Sequence, residues 1–441
     1  MSTLYKSFLR NAWWNTIESI VYHGTLMSHQ WLVFNTMPRE TYGLAGILFS
    51  IIYLSISLIN MGFDHAVGTH WQEACLSKKH FIYHVWYQLI PNYIVIIIVT
   101  SGLLLSGIYY PYINTSLVLI LAAIIGSESM KKSGKVILQL MFKSHITAST
   151  DSMAIVLYTS MVWGWYGYTQ NFTLYSVFIP LLISSLLSAM LFFSEIIKFY
   201  SELSDEQGVT FNNKPIAHNR LYSFLSDMSQ QLFSGNILIP LLAMHVGLHT
   251  VGTFKLISHL CHSVGAIIYN VFGLTSQVLF AHAKNMHYSA KQAIFSHITN
   301  YIHHALYACA IFGIINFQKI MGDTSTHNTT DMLMIGLYFV IIFSQNFFIP
   351  YEKLFLNEEK THYLAIIQLL AWSAMYMTIW YIAPQSALLA LVAIVLIRLI
   401  SYVLLGLIAA RSWSITPSWQ LQPVFGLAAV FCSCVFFWLW Q

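Results

Sequence analysis

Ala390-Leu-Val-Ala-Ile-Val-Leu-Ile-Arg-Leu-Ile400 sets a single charged side chain, Arg398, in the middle of an apolar run that extends from about 386 to 410. A run of about 20 such residues matches a helix that crosses the hydrocarbon core, where lipid offers the backbone no hydrogen-bond partners. The same pattern recurs along the chain. Spans are predicted at 11–35, 42–63, 83–110, 114–130, 152–169, 173–197, 221–246, 251–281, 294–318, 332–350, 362–383, 386–410 and 422–440. Charged residues make up only 8% of the chain and hydrophobic residues 57%, with a mean hydropathy of +0.64. No water-soluble domain could cover that much apolar surface, so the sequence predicts an all-α, polytopic membrane protein.

The basic residues set the expected topology, because Lys and Arg accumulate in cytoplasmic loops. With the N-terminus inside, only Arg39, Lys255 and Lys319 of the 20 Lys and Arg are assigned to the outer side, and Arg398 falls within a span. The others, among them Lys131, Lys132, Lys135 and Lys143, are assigned to the inner face. Tyr109-Tyr-Pro-Tyr112 and Trp163-Gly-Trp-Tyr-Gly-Tyr168 then fall at the outer interface, as aromatic belts do. The net charge of +4 reflects inner-face lysines rather than a nucleic-acid surface. The first span carries no cleavable signal pattern and is expected to remain as a signal-anchor helix. The five cysteines show neither disulfide nor zinc spacing.

The longest polar stretch, about 201–220, divides the chain into halves of six spans. The expected organisation is an N-terminal six-helix lobe over 1–203, a cytoplasmic linker over 204–219, a C-terminal six-helix lobe over 220–412 and an additional helix over 413–441. The halves read as repeats. Arg10 through Glu18 opens the first and Arg220 through Asp227 the second, and Thr41-Tyr-Gly43 answers to Thr250-Val-Gly252. An even number of spans per half makes the repeats parallel, related by a pseudo-two-fold axis along the membrane normal, which is a transporter construction.

An ionisable group inside a span costs roughly 2.5–3.5 kcal/mol on insertion scales and so requires a reason. Glu18 and Asp227 each lie about two turns beyond an inner-end arginine, and residues seven or eight apart share a helix face. Arg10, Glu18, Arg220, Asp227 and Arg398 are therefore the candidate substrate-binding residues. Glu18, Asp64 and Asp227 are candidates for ion or proton coupling. Glu128 and Asp151 read as a helix-end salt network at the inner interface, and Glu195 with Lys198 as an interfacial pair. The spacing of His245 and His249 suits a metal, but no carboxylate or cysteine accompanies it in sequence, and no metal or cofactor is expected. Pro91, Pro180 and Pro240 interrupt spans and mark kinks.

Phe8-Leu-Arg-Asn11, Pro38-Arg-Glu-Thr-Tyr-Gly43 and Leu58-Ile-Asn-Met-Gly-Phe-Asp64 resemble the opening of polysaccharide flippases. These belong to the multidrug/oligosaccharidyl-lipid/polysaccharide exporter superfamily. Members carry a G-x-E-x-Y-G turn after the first helix, and here Met37 or Pro38 stands in place of its first glycine. The resemblance implies two six-helix lobes around a central cavity that works by alternating access. It implies that the chain is no enzyme but moves a polyprenyl-diphosphate-linked oligosaccharide from the inner to the outer leaflet for surface polysaccharide biosynthesis. Arg10 is the positional match for the cations that contact the diphosphate. The implied partners are this lipid-linked saccharide, membrane lipids and other polysaccharide-assembly proteins. The implied setting is a bacterial inner membrane, with the N-terminus cytoplasmic and the C-terminus outside. The alternatives are a cation-coupled multidrug exporter of the same superfamily and a membrane-embedded polysaccharide polymerase or ligase. The last needs a large outer loop bearing Arg and His, which the sequence lacks.

Overall fold

The computed structural model describes, in the main, residues 2–60, 71–109, 114–205, 235–268, 303–309, 329–344 and 361–413. Among these the fold is entirely helical. The helices are α1 (Ser2–Thr36), α2 (Arg39–Asn60), the short α3 (Trp71–Ala74), and α4 (Lys78–Phe81), which runs through a π-turn (Ile82–Trp86) into α5 (Tyr87–Tyr109). There follow α6 (Thr115–Leu140), α7 (Ser144–Thr169), α8 (Leu174–Glu202), α9 (Gly235–Ala243), α10 (Leu248–Ile268), α11 (Thr329–Ser344), α12 (Thr361–Tyr381) and α13 (Ala387–Trp413). Among the described residues, five helical stretches are long and apolar enough to cross a membrane: 39–60, 78–102, 174–202, 362–381 and 387–409. The chain is an integral membrane protein. The predicted spans at 294–318 and 422–440 fall largely or wholly outside the described residues.

Two compact units make up the chain. The first comprises 1–26 and 48–231, the second 27–47 and 232–441. The N-terminal part of α1 and the C-terminal part of α2 therefore belong to the first unit, and the residues between them, 27–47, to the second.

In the first unit, local sequence chemistry fixes the helix ends. Asn114 caps α6 by accepting from the Ser116 amide. Thr173 and Ser176 form a reciprocal capping box at α8, with each side chain accepting from the other's backbone N–H at 3.1–3.2 Å. Gln170 closes α7 in the left-handed region (φ 53°), its amide bonded to Tyr166 O. Just beyond, Phe172 inserts between Trp163 and Tyr166, with ring centroids at 5.5 and 4.5 Å, so part of the expected aromatic belt packs inward. At the other end of this unit Phe81, Ile137, Leu138, Phe192 and Ile196 form a fully buried apolar core.

Helices α6 and α8 pack closely at Gly134, where an added Cβ would stand 3.0 Å from Phe192 Cβ and 3.6 Å from the ring of Phe193. A leucine there has to displace both aromatic side chains. Gly134→Leu is expected to lower stability by about 1–3 kcal/mol, the usual cost of overpacking, read as a fall in the thermal unfolding midpoint of the detergent-purified protein.

The structure changes the reading of the segment between the fourth and fifth spans. Predicted spans end at 130 and resume at 152, yet α6 continues to Leu140 and α7 begins at Ser144. The charged residues Lys131, Lys135 and Asp151 do not form a solvated loop. They lie inside helices, because they satisfy one another there.

Candidate functional site

Glu128, Lys131 and Lys135 recur at spacings of three and four, which places them on one face of α6. Asp151 faces them from the first third of α7, and Glu18 from α1. Asp151 is 3% exposed and bridges both lysines, with Oδ1 3.2 Å from Lys131 Nζ and Oδ2 2.7 Å from Lys135 Nζ. Lys135 also donates to Glu18 Oε1, and Lys131 lies 3.9 Å from Glu128 Oε1. The Lys131 ammonium sits 5.9 Å from the ring centroid of Tyr22, one helical turn beyond Glu18, within cation–π range. Among the described residues three carboxylates face two ammoniums, so with all five ionised this network carries one surplus negative charge. Its members come from three helices, all within the first unit.

This arrangement replaces the expected helix-end salt network. Glu128 and Asp151 are joined through two lysines to Glu18 and form a buried cluster. A side chain such as Lys135, whose 29% exposure is the largest among the ion-paired members, gives the cluster its contact with solvent. The pair of Glu195 with Lys198 is present as expected, and Lys143 joins it at 3.3 Å.

The second unit has a different interior. Among the described residues its buried charged side chains are Lys255 and Arg398, both cationic. Lys255 was assigned to the outer face from sequence. It instead lies within α10, 2% exposed, its aliphatic stem laid against α2 at Gly46. Only a residue without a side chain fits there, since a Cβ on Gly46 would come within 2.8 Å of Lys255 Cγ. Buried histidines His29 on α1 and His259 on α10 belong to the same unit. Arg398 lies mid-way along α13 and is 5% exposed. At the start of α2 the Arg39 guanidinium covers the Phe34 ring at 3.6 Å, and Tyr42 donates to Gln30 Oε1 at 2.9 Å, which fixes the turn between α1 and α2.

Of the residues singled out from sequence, Glu18 and Arg398 are both buried, in separate units. Arg10 lies on the first turns of α1. Asp64, Arg220 and Asp227 lie outside the described residues. Sequence reasoning missed Lys131, Lys135 and Lys255 as site residues. The three- and four-residue spacing of Glu128, Lys131 and Lys135 was a usable signal, whereas the partnership of Lys135 with Glu18, 117 positions away, was not. Among the described residues no group of three or more His, Cys, Asp or Glu side chains could hold a metal ion.

No protein-family model matches the chain, and no curated protein sequence matches it. Solved structures do. An outward-facing multidrug resistance MATE family transporter of the MOP superfamily superimposes with a TM-score of 0.65 at 13% identity, covering 93% of this chain and 96% of that one. An inward-facing structure of such a transporter gives 0.63 at 12%, covering 90% and 94%. A MOP superfamily transporter from Pyrococcus furiosus, described as having a binding pocket whose reverse polarity suggests a different function, gives 0.58 at 11%, covering 93% and 96%. Likeness over nearly the full length establishes the two-lobe helical fold of these transporters; at this identity it establishes the fold alone.

Proposed function

We propose that the protein is an alternating-access exporter that moves a polyprenyl-diphosphate-linked oligosaccharide from the inner to the outer leaflet for surface polysaccharide assembly. The proposed setting is a bacterial inner membrane, with the N-terminus cytoplasmic. The observation that carries the cargo assignment is the cationic interior of the second unit, Lys255 and Arg398. Burying a cation in the membrane is costly, and recognition of an anionic head group is a function that repays it. A guanidinium matches two phosphate oxygens at once, and an ammonium adds a compact point charge. The polyprenyl tail can stay in lipid while the head group crosses. Outward movement of two negative charges, away from the negative inner side of the membrane potential, releases roughly 4–5 kcal/mol per 100 mV.

The first unit takes a separate part. Among the described residues its cluster holds one carboxylate more than its two lysines neutralise, and uptake of a proton or a sodium ion balances it. Glu18 joins the cluster at its edge, ion-paired with Lys135, and is the carboxylate placed to exchange that partner for a cation. The same surplus favours the second reading, a cation-coupled multidrug exporter, which also agrees with the multidrug resistance role of the MATE transporters whose structures match. Against it stands the charge of the second unit, which repels a cationic drug.

The test removes the protein from its host and measures polyprenyl-diphosphate-linked saccharides by leaflet, together with the surface polymer. The expected result is inner-leaflet accumulation and loss of the polymer, restored by the wild type but not by Arg398→Ala. Unchanged pools and an intact surface, with a raised sensitivity to cationic drugs, would instead establish the second reading.

A further inference from the structure

The face of α10 that carries Lys255 also carries two histidines. Lys255, His259 and His262 recur at spacings of four and three, which places them on one face of the helix. Lys255 and His259 are buried, whereas His262 is exposed. The stripe thus runs about 10 Å along the helix, from a buried ammonium to an accessible imidazole. Buried His29 joins it from α1, and His259 interacts electrostatically with His29 as well as with Lys255 and His262. All four residues belong to the second unit.

The neighbouring face of α10 has another task. Phe254, Ser258 and Cys261, each one position before a member of the basic stripe, are buried. Tyr338 of α11 stacks on Phe254 at 4.3 Å and lies beside Cys261. This packing fixes the rotation of α10 and turns the basic stripe to one side of α11. An ordinary phenol and thiol are largely uncharged below about pH 8. Helix α9 also packs on α10 and has no titratable side chain. From α2 the neighbours are Gly43, Gly46 and the Tyr42 phenol, with the Arg39 guanidinium one turn earlier, over Phe34. His262 lies within the predicted span 251–281, where an exposed ionisable side chain belongs against water rather than lipid.

We propose that this stripe is a proton-linked anion site, in which a diphosphate head group bound beside Lys255 draws a proton from solvent, by way of His262, onto His259. The inference rests on the cargo reading given above and deepens it. A second positive charge beside the ammonium is repelled while the site is empty. An anion between the two reverses that balance, since an opposite charge within about 4–6 Å favours the charged imidazole. The site therefore gains a cation when loaded and returns it when the anion leaves, so the empty unit is not left with a further buried charge. By linkage, an anion that binds together with a proton binds more tightly as the pH falls through the range in which an imidazole titrates.

The test is calorimetric titration of the purified full chain, in lipid nanodiscs, with the symmetric dimethyl ester of diphosphate. The charge of this diester stays fixed over the range in which an imidazole titrates. Titration in two buffers of different ionisation enthalpy counts the protons taken up. The wild type is expected to bind at least about fivefold more tightly at about pH 6 than at about pH 7.5, with proton uptake. His259→Gln should change its affinity by less than about twofold over the same interval. Lys255→Met should bind at least about tenfold more weakly than the wild type. Should His259→Gln fail to fold, nitrogen NMR of the histidine-labelled wild type makes the same reading. The ester must then convert a neutral imidazole to an imidazolium near neutral pH, and unchanged spectra would overturn the proton link. Binding of the wild type that does not vary with pH, or a pH dependence that survives in His259→Gln, would overturn the proton link and leave the cargo reading standing. Binding unaffected by Lys255→Met, or no binding at any pH, would overturn both.

Discussion

Asp151→Ala is expected to be the most damaging single substitution in the first unit, lowering stability by about 3–5 kcal/mol and abolishing export. The estimate follows from what remains behind. Among the described residues Asp151 is the one carboxylate in contact with both Lys131 and Lys135, and its loss leaves two buried ammoniums whose remaining ion-pair partners there are Glu128 and Glu18. Breaking a buried ion pair from one side costs that much because the other charge stays buried. Replacing both sides is cheaper. Lys135→Met with Glu18→Gln removes a cation and an anion together and leaves the Lys131–Asp151 pair intact. That double variant should be more stable than the sum of its single variants predicts, by more than the few tenths of a kcal/mol expected for independent sites. Thermal unfolding of the four proteins of the cycle measures this term. Strict additivity would mean that the two side chains are not coupled.

The second large effect is expected at Lys255. Lys255→Met keeps a flexible unbranched stem that fills the space against Gly46, so the protein should fold and reach the membrane in wild-type amounts. Loss of the ammonium should nonetheless reduce transport of an anionic cargo by about 30-fold or more, as when one partner of a desolvated, hydrogen-bonded charge pair is removed. Lys255→Arg retains the charge but must place a planar fork in a slot shaped for a lysine, and it should recover part of the activity. A drug exporter predicts the reverse order, with Lys255→Met at least as active as the wild type on a cationic substrate. The comparison thus separates the two cargo classes with one residue.

The fold was largely legible in the sequence, because apolar runs of membrane length and the spacing of basic residues are local signals. The capping residues Asn114 and Thr173 sit where sequence alone places the starts of spans. What local pattern could not convey was which charges belong to water. Lys131, Lys135 and Lys255 look like loop or interface cations when only their neighbours in sequence are considered. Lys131 and Lys135 enter the interior because Asp151 and Glu18 arrive from other helices to meet them. Lys255 enters because Gly46 leaves a space for its stem. Glu18 stood out because anchoring in head groups gives no reason for a carboxylate within a span, and Arg398 because it lies too deep to reach water. These two arguments from the cost of burial identified both residues without knowledge of their neighbours.

The most direct test of the account is reconstitution of the purified protein in liposomes that contain a polyprenyl-diphosphate-linked saccharide, with accessibility of the saccharide to an external glycosidase followed over time. The account predicts transbilayer movement that depends on the protein, accelerates under a potential negative on the cargo's starting side, and falls by about 30-fold or more in Lys255→Met. Movement no faster than in protein-free liposomes, under conditions where the same preparation transports a cationic drug, would contradict it.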